Sequence, residues 1–599
     1  MCGIAGIWHK YGNEHLYRDI KRMTDTIVHR GPDGEGHWIA DNHAIALGHR
    51  RLSILDLSDQ AKQPMKRHNL IITFNGEIYN YLELKKELEL QGSLFYSASD
   101  TEVLLEAYAK WGVACLNKLD GMFAFAIFDE TKGELFCARD RFGEKPFYYV
   151  NNDSFFAFGS EMKELFSLGI AKHVNEKMLF NYLTYDVVED PKDKSTTFYS
   201  HIRQLAASHY MVVSKKGEIN VGRYWDIDPE YQIEIAETEA KERFLELFDE
   251  SLKRRMRSDV KVGSSLSGGV DSSSILGSVL TLFPDTSFNT FTARFDDKNY
   301  DEGQYIDLLK RHKQFNAHFC YPQHDQIVNE LDTVFHHQEE PFGSTSIIAQ
   351  WEVMKLAKTH DTIVLLDGQG ADETMAGYYK YFLPFLQEVK TKSNRKFKQQ
   401  LKTIETTLEL NSFLSKREHL RLRSPLLFDT LSDITRSIRK SSIANDLSAD
   451  FRNEFGKNPS PFHRDGNLNH FLYKEVFSYG LGKLLRFSDR NAMAHSREVR
   501  LPYLSHELVE FVFSLPSDLK MHNGWSKYIL RCSMEERIPI EIAYRKDKKG
   551  FQAPPSWMEE KAVGELIESS ISNLKGLGYL ANPSASNAWQ YIMAAKLFS

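Results

Sequence analysis

Residues 260–273 read Val260-Lys261-Val262-Gly263-Ser264-Ser265-Leu266-Ser267-Gly268-Gly269-Val270-Asp271-Ser272-Ser273. Val260–Leu266 has the short apolar character of a strand. A glycine-rich turn follows, and Ser272–Phe283 then reads as a helix. Glycines let backbone approach an anion, serines add hydroxyl donors, and a helix N-terminus favours negative charge. No GxxxxGK[ST] occurs in the chain, so the turn lacks the lysine that serves γ-phosphoryl transfer. It suits pyrophosphate released by attack at an α-phosphate. The pattern recurs further on. The strand Thr362–Leu366 runs into Asp367-Gly368-Gln369-Gly370-Ala371-Asp372-Glu373. Strand–turn–helix units in series predict a doubly wound α/β domain. Asp271 and Asp372 offer hard oxygen ligands for Mg²⁺. In Arg545-Lys546-Asp547-Lys548-Lys549-Gly550-Phe551, Lys548 is a candidate cation for charge developing at phosphorus.

Upstream, residues 1 to about 210 are strand-rich. Gly3–Trp8 and Leu70–Phe74 are short apolar runs. Met122–Phe128 and Glu134–Ala138 flank a Glu-Thr-Lys-Gly turn, a hairpin signal. Asp100–Tyr108 is a helix that Asp100 or Thr101 is placed to cap. Cys2 stands behind Met1. With Met1 removed it carries a thiol nucleophile and an α-amino group of pKa about 7.7–8.0 that can act as its base; from position alone, a small residue entering a buried strand is an equal reading. Thr73-Phe74-Asn75-Gly76-Glu77 is read as a strand ending in an Asn-Gly turn, which can present an amide and an N–H as an oxyanion hole or simply close a hairpin. Arg51 offers a guanidinium to a carboxylate.

The chain has 599 residues, 42% hydrophobic and 26% charged, with a net charge of −7. That predicts several well-cored domains and no electrostatic draw to nucleic acid or an anionic membrane. Five scattered cysteines without a CxxC pair fit a reducing compartment. With no apolar signal core or membrane-length run, the expected location is the cytoplasm. Glu239–Met256 is an amphipathic helix opening the second half. Residues 385–440 read as surface helices with a stop at Pro425, their charge a solvated face. Adjacent histidines in His336-His337-Gln338-Glu339-Glu340 project differently, which disfavours a metal site.

Taken in order, Cys2-Gly3-Ile4, His29-Arg30-Gly31-Pro32-Asp33, Arg51-Leu52-Ser53-Ile54, Asn75-Gly76-Glu77, Ser99-Asp100-Thr101-Glu102 and Ala138-Arg139-Asp140-Arg141 resemble the N-terminal-nucleophile glutamine amidotransferase domain. The resemblance implies a four-layer αββα fold. It makes Cys2 the nucleophile on the glutamine amide, with Asn75 and the Gly76 N–H holding the oxyanion. Arg51 would bind the substrate α-carboxylate, and Glu77 and Asp100 its α-amino group. Leu205-Ala206-Ala207-Ser208 departs from the family's usual Pro-Pro-Gly turn.

Ser267–Ser273 is the motif of ATP-pyrophosphatases. With Asp367–Glu373, Ser488-Asp489-Arg490, Glu498–Pro502 and Arg545–Phe551 it makes the chain resemble the glutamine-hydrolysing asparagine synthetase family. This implies an ATP-pyrophosphatase domain with helical additions, divided as 1–212, a linker at 213–235, and 236–599. ATP would lie against Leu266, Ser267, Gly268, Gly269, Asp271, Ser272, Ser273, Ala293, Asp367 and Gly368, with Mg²⁺ on Asp271 and Asp372. The implied substrates are glutamine, ATP and aspartate or another small carboxylate. Aspartate would form an acyl-adenylate, and ammonia arriving by an internal channel would displace AMP. A homodimer is compatible with this reading. Two departures leave the acceptor open. Gln369 stands where asparagine-forming members often have Glu, and an amide cannot take a proton from attacking ammonia. Ser505 stands where Asp is usual. The alternatives are an amidotransferase for another carboxylate, such as a sugar uronate or a peptide side chain, and a regulatory homologue with a degenerate site.

Overall fold

The computed structural model describes residues 2–410, 413–415, 445–456, 466–546 and 552–599. Twelve strands build two sheets. They are β1 (Gly3–His9), β2 (Gly34–Ile39), β3 (Ile45–Arg51), β4 (Met65–Arg67), β5 (Leu70–Ile78), β6 (Gly121–Asp129), β7 (Glu134–Arg139), β8 (Tyr148–Asn151), β9 (Phe155–Gly159), β10 (Arg203–Gln204), β11 (His209–Ser214) and β12 (Ile219–Arg223). The orders are β10-β8-β9-β1-β3-β2 and β12-β11-β7-β6-β5-β4, antiparallel throughout.

Period-two alternation explains the layering. Ile4 and Trp8 of β1 face the other sheet and pack with Leu47, Ile71, Ala124 and Met211. Ala5 and Ile7 face outward onto Leu16, Ile20 and Met23 of the helix Leu16–Asp25. On the far side, Ile72, Phe74, Phe123 and Phe125 pack beneath helices Tyr81–Leu90 and Asp100–Trp111. The result is a four-layer αββα sandwich, the architecture that the resemblance implied.

Two local readings need correction, and one departure gains an explanation. Asn75 and Gly76 form no turn, because β5 runs straight through them to Ile78. Gly76 is required there by close approach. Its φ is +155°, and a Cβ would lie 2.1 Å from the Met122 carbonyl oxygen of β6. The cap of the helix at Asp100 is Ser99, whose hydroxyl accepts from Thr101 N, so Asp100 is left for other work. At the departure from Pro-Pro-Gly, Ser208 adopts φ +63° and donates to the Arg141 carbonyl at 2.7 Å, taking by hydrogen bonding a left-handed position that glycine takes without strain.

From 224 to 236 there is neither helix nor strand. The helix Glu237–Arg255 then opens a parallel sheet of β13 (Val262–Ser265), β14 (Asn289–Ala293), β15 (Asn316–Cys320), β16 (Val364–Leu366) and β17 (Glu498–Arg500), ordered β15-β14-β13-β16-β17. Chain order reverses between β13 and β16, and ligands of such sheets bind at the carboxyl ends beside that point. Helices Glu237–Arg255 and Val270–Leu282 cover one face through Phe244, Phe248, Ile275 and Val279. Ser346–Thr359 covers the other through Ile348, Trp351 and Met354. Of the expected surface helices, Phe382–Lys392 buries its first turn (Phe382, Phe385, Leu386) and Asn394–Thr407 buries only Ile404. Pro425 lies outside the described residues. Among the described residues no helix is long and apolar enough to cross a membrane.

Candidate active sites

The start of β1 delivers Cys2 to the seam between the two halves of the chain. Its backbone N donates to Asn75 Oδ1 at 3.1 Å, and its Sγ lies 3.9 Å from the Leu52 carbonyl oxygen. Burial pushes the thiol up, opposed by the Leu52 hydrogen bond and the Arg51 charge. Asn75 Nδ2 is buried and has no hydrogen-bond partner among the described residues. An orphaned buried donor is costly, and the side chain that carries it accepts from the Cys2 nitrogen. Arg51 is fixed by the Asp56 and Ser58 carbonyls. Asp100 Oδ2 accepts from Ile78 N at 2.9 Å, and burial raises its carboxyl to about 6. Burial also raises Glu77 well above the carboxylate range, with Glu498 and Asp100 adding repulsion and Arg500 opposing. Two buried carboxylates that repel one another are suited to an ammonium group.

Sequence reasoning missed the buried ion network around this site. Arg30 is fully buried. Its Nε donates to the Cys2 carbonyl at 3.1 Å. Its terminal nitrogens reach Glu161 at 2.9 Å and both Asp489 oxygens at 2.9 and 3.2 Å. Arg490 pairs with Glu161 at 2.9 Å and Glu339 at 2.8 Å. His29, Glu161 and His337 bring ligand atoms within 4.8 Å of one another. However, Glu161 is already ringed by Arg30, Arg490 and Lys163, a surrounding that repels a metal cation.

The second site is a cavity of about 380 Å³ at the carboxyl ends of β13 and β16. Of the expected residues, Leu266, Ser267, Gly269, Asp271, Ser272, Ala293, Asp367, Gly368 and Asp372 line it. Gly268 and Ser273 do not. Gly268, at φ +79°, turns its carbonyl to Arg545 at 3.1 Å, and Ser273 lies buried behind the loop. The two loops touch, since a Cβ on Gly368 would be 2.9 Å from the Asp271 Cβ. Burial holds Asp367 up at about 6.

Lys548 lies outside the described residues. Lys527, missed in the sequence, occupies the centre. Its Nζ sits 2.6 Å from Asp271 and 2.5 Å from Asp372, and it is fully buried at φ +52°. Burial lowers its pKa against the pull of Asp271. Arg531, one turn further on, also lines the cavity. The available signal was a Lys–Arg pair at i, i+4 opening an apolar helical run. Asp271 and Asp372 converge on one cation, and two such carboxylates are of the type that could hold a Mg²⁺.

Known proteins match in the same two parts. Residues 1–225 match the glutamine amidotransferase domain family, and residues 243–596 match the asparagine synthase family. The chain belongs to the asparagine synthase family. Asparagine synthetase [glutamine-hydrolyzing] 1 of Bacillus subtilis (strain 168) is 30% identical, covering 97% of this chain and 91% of the relative. Putative asparagine synthetase [glutamine-hydrolyzing] 2 of Methanocaldococcus jannaschii is 37% identical over 63% of this chain and 76% of its own. Amidase chry2 of Gibberella zeae is 26% identical over 97% and 93%. As an asparagine synthase family member the protein is an enzyme of the amidotransferase–ligase type, with glutamine as nitrogen donor and ATP as a substrate.

Proposed function

We propose that the enzyme converts aspartate to asparagine through an aspartyl-adenylate, with nitrogen from glutamine hydrolysed at Cys2, and that it works in the cytoplasm, where its five free cysteines stay reduced. The observation that carries the glutaminase half is the orphaned Asn75 Nδ2 beside the Cys2 backbone. Cys2 Sγ attacks the glutamine amide carbon, and the α-amine takes the thiol proton and returns it to departing ammonia. Asn75 Nδ2 and the Gly76 N–H hold the oxyanion. Water then releases glutamate from the thioester. Arg51 binds the α-carboxylate, and Asp100 and Glu77 bind the α-ammonium.

In the other half, a carboxylate oxygen of aspartate attacks the ATP α-phosphorus and pyrophosphate leaves. Ammonia then attacks the acyl carbon, AMP leaves, and a proton is lost. Ser267, Gly269 and Ser272 cradle the phosphates at the start of the helix Val270–Leu282. Lys527 faces the charge that grows at phosphorus. Asp271 and Asp372 would hold Mg²⁺, which when bound neutralises phosphate charge. The proposed division keeps an amidotransferase unit and a synthetase unit from 236 to 599, but the boundary expected at 212 moves: β11 and β12 carry the first unit's sheet on to Arg223, across the start of the expected linker.

Gln369 favours a second reading. Its buried Oε1 has no hydrogen-bond partner among the described residues and it lines the cavity, where it cannot take the proton of attacking ammonia. An acceptor carboxylate that brings its own base, or leaves more room for water, suits that position better than aspartate does.

Cys2→Ala tests the division of labour. Glutamine-dependent amide formation should fall below about 1% of the wild-type rate, while the rate with ammonium salts stays within about twofold. Loss of both would show that Cys2 is structural.

A further inference from the structure

Asp489 belongs to the helix Leu481–Ala494, which is part of the synthetase half. Two residues of that helix, Leu484 and Phe487, line the ATP cavity. Half a turn after Phe487, Asp489 turns the opposite way and takes both ends of the Arg30 guanidinium, at 2.9 and 3.2 Å. Lys145 Nζ adds a contact at 3.5 Å. All three side chains are buried. A bidentate guanidinium–carboxylate pair fixes the plane of the arginine as well as its distance. With that plane fixed, Arg30 Nε is left to donate to the Cys2 carbonyl at 3.1 Å. Cys2 is therefore gripped at two points. Asn75 holds its nitrogen and Arg30 holds its carbonyl. These two bonds fix the backbone on both sides of the Cys2 Cα, and with it the directions of Sγ and the α-amine. Glu161 cannot substitute for Asp489, because its Oε1 is shared with Arg490 and His29 and its Oε2 with Lys163.

We propose that Asp489 is a positioning residue for the glutaminase reaction: it orients Arg30, which orients the Cys2 backbone, so that the amidotransferase site is completed by the synthetase half. The proposal rests on the reading of Cys2 as the glutamine nucleophile. It goes beyond that reading by placing a determinant of glutamine turnover 487 positions away, on the helix that lines the ATP cavity.

The test compares two rates in the full-length chain: glutamate released from glutamine, and amide formed from ammonium with ATP. Asp489→Asn keeps the size and one acceptor but loses the bidentate pairing. The expected result is a fall of about tenfold or more in glutaminase kcat with the glutamine KM within about twofold, and a fall in the ammonium-supported rate at least fivefold smaller. Equal losses in the two assays, or no loss in either, would overturn the proposal. A double-mutant cycle checks that the effect passes through Arg30. In an Arg30→Ala background, Asp489→Asn should change glutaminase kcat by less than twofold; an undiminished loss would overturn the proposal. Should Asp489→Asn fail to fold, Asp489→Glu keeps the charge and shifts the carboxylate by a methylene. It should slow glutaminase kcat alone by about threefold, and equal or absent losses count against the idea in the same way. Failure of the underlying reading is distinguishable, because Cys2→Ala would then retain glutamine hydrolysis.

Discussion

Lys527 is the residue on which the cavity of the second half turns. A buried ammonium between two carboxylates is stable only as a hydrogen-bonded set, and here one cation joins loops from β13 and β16. Lys527→Met should lower AMP formation by about 100-fold or more, in line with removal of a preorganised charge at a reacting centre. Glutamine hydrolysis should stay within about twofold, since Lys527 pairs with Asp271 and Asp372 and not with the residues that hold Cys2. Discontinuous assay of AMP and glutamate on the same sample checks both. Asp100 carries a pH signature. Burial raises its carboxyl to about 6, so it gains a proton as pH falls through 6 and loses the charge assigned to the substrate ammonium. The glutamine KM should rise roughly tenfold from pH 7 to pH 5, because a site needing the ionised form binds in proportion to its fraction. Asp100→Asn should raise KM at pH 7 and flatten that dependence. A wild-type KM that is constant over this range would remove Asp100 from the binding site.

At the scale of elements, β5 and β6 form the floor of the glutaminase site. Gly76→Ala would drive a methyl group into the Met122 carbonyl, an overpacking that costs about 2–3 kcal/mol. The first thermal transition should drop by about 5–10 °C, measured by scanning calorimetry. The same pair of strands shows where sequence reading works and where it stops. The hairpin of β6 and β7 was legible, because two short apolar runs flank a turn signal. The strand through Asn75 was misread, because Asn-Gly has the same appearance in a turn and in a strand where a neighbour presses close. The glycine-rich loop was legible because its chemistry is local. Lys527 and Arg30 were not, since their roles arise from carboxylates 256, 155 and 459 positions away, which only the tertiary fold brings near. The cap at Asp100 was read one residue late because Ser99 and Asp100 are both good capping types, and only the geometry separates them.

For the whole molecule, the two reactions share one ion-paired seam. Arg500 on β17 lies 3.6 Å from Glu77, and Ser496 donates to the His29 carbonyl at 2.7 Å. The seam joins a nucleophile in the sandwich to a cavity at the sheet reversal, as the coupled use of one nitrogen requires. Glutamine labelled with ¹⁵N in its side-chain amide, supplied with ATP, Mg²⁺ and aspartate, tests this most directly, with products read by mass spectrometry. The predicted result is ¹⁵N-asparagine formed together with AMP and pyrophosphate in equal amounts. Release of ADP and phosphate, or no AMP with aspartate or any other carboxylate offered, would contradict it.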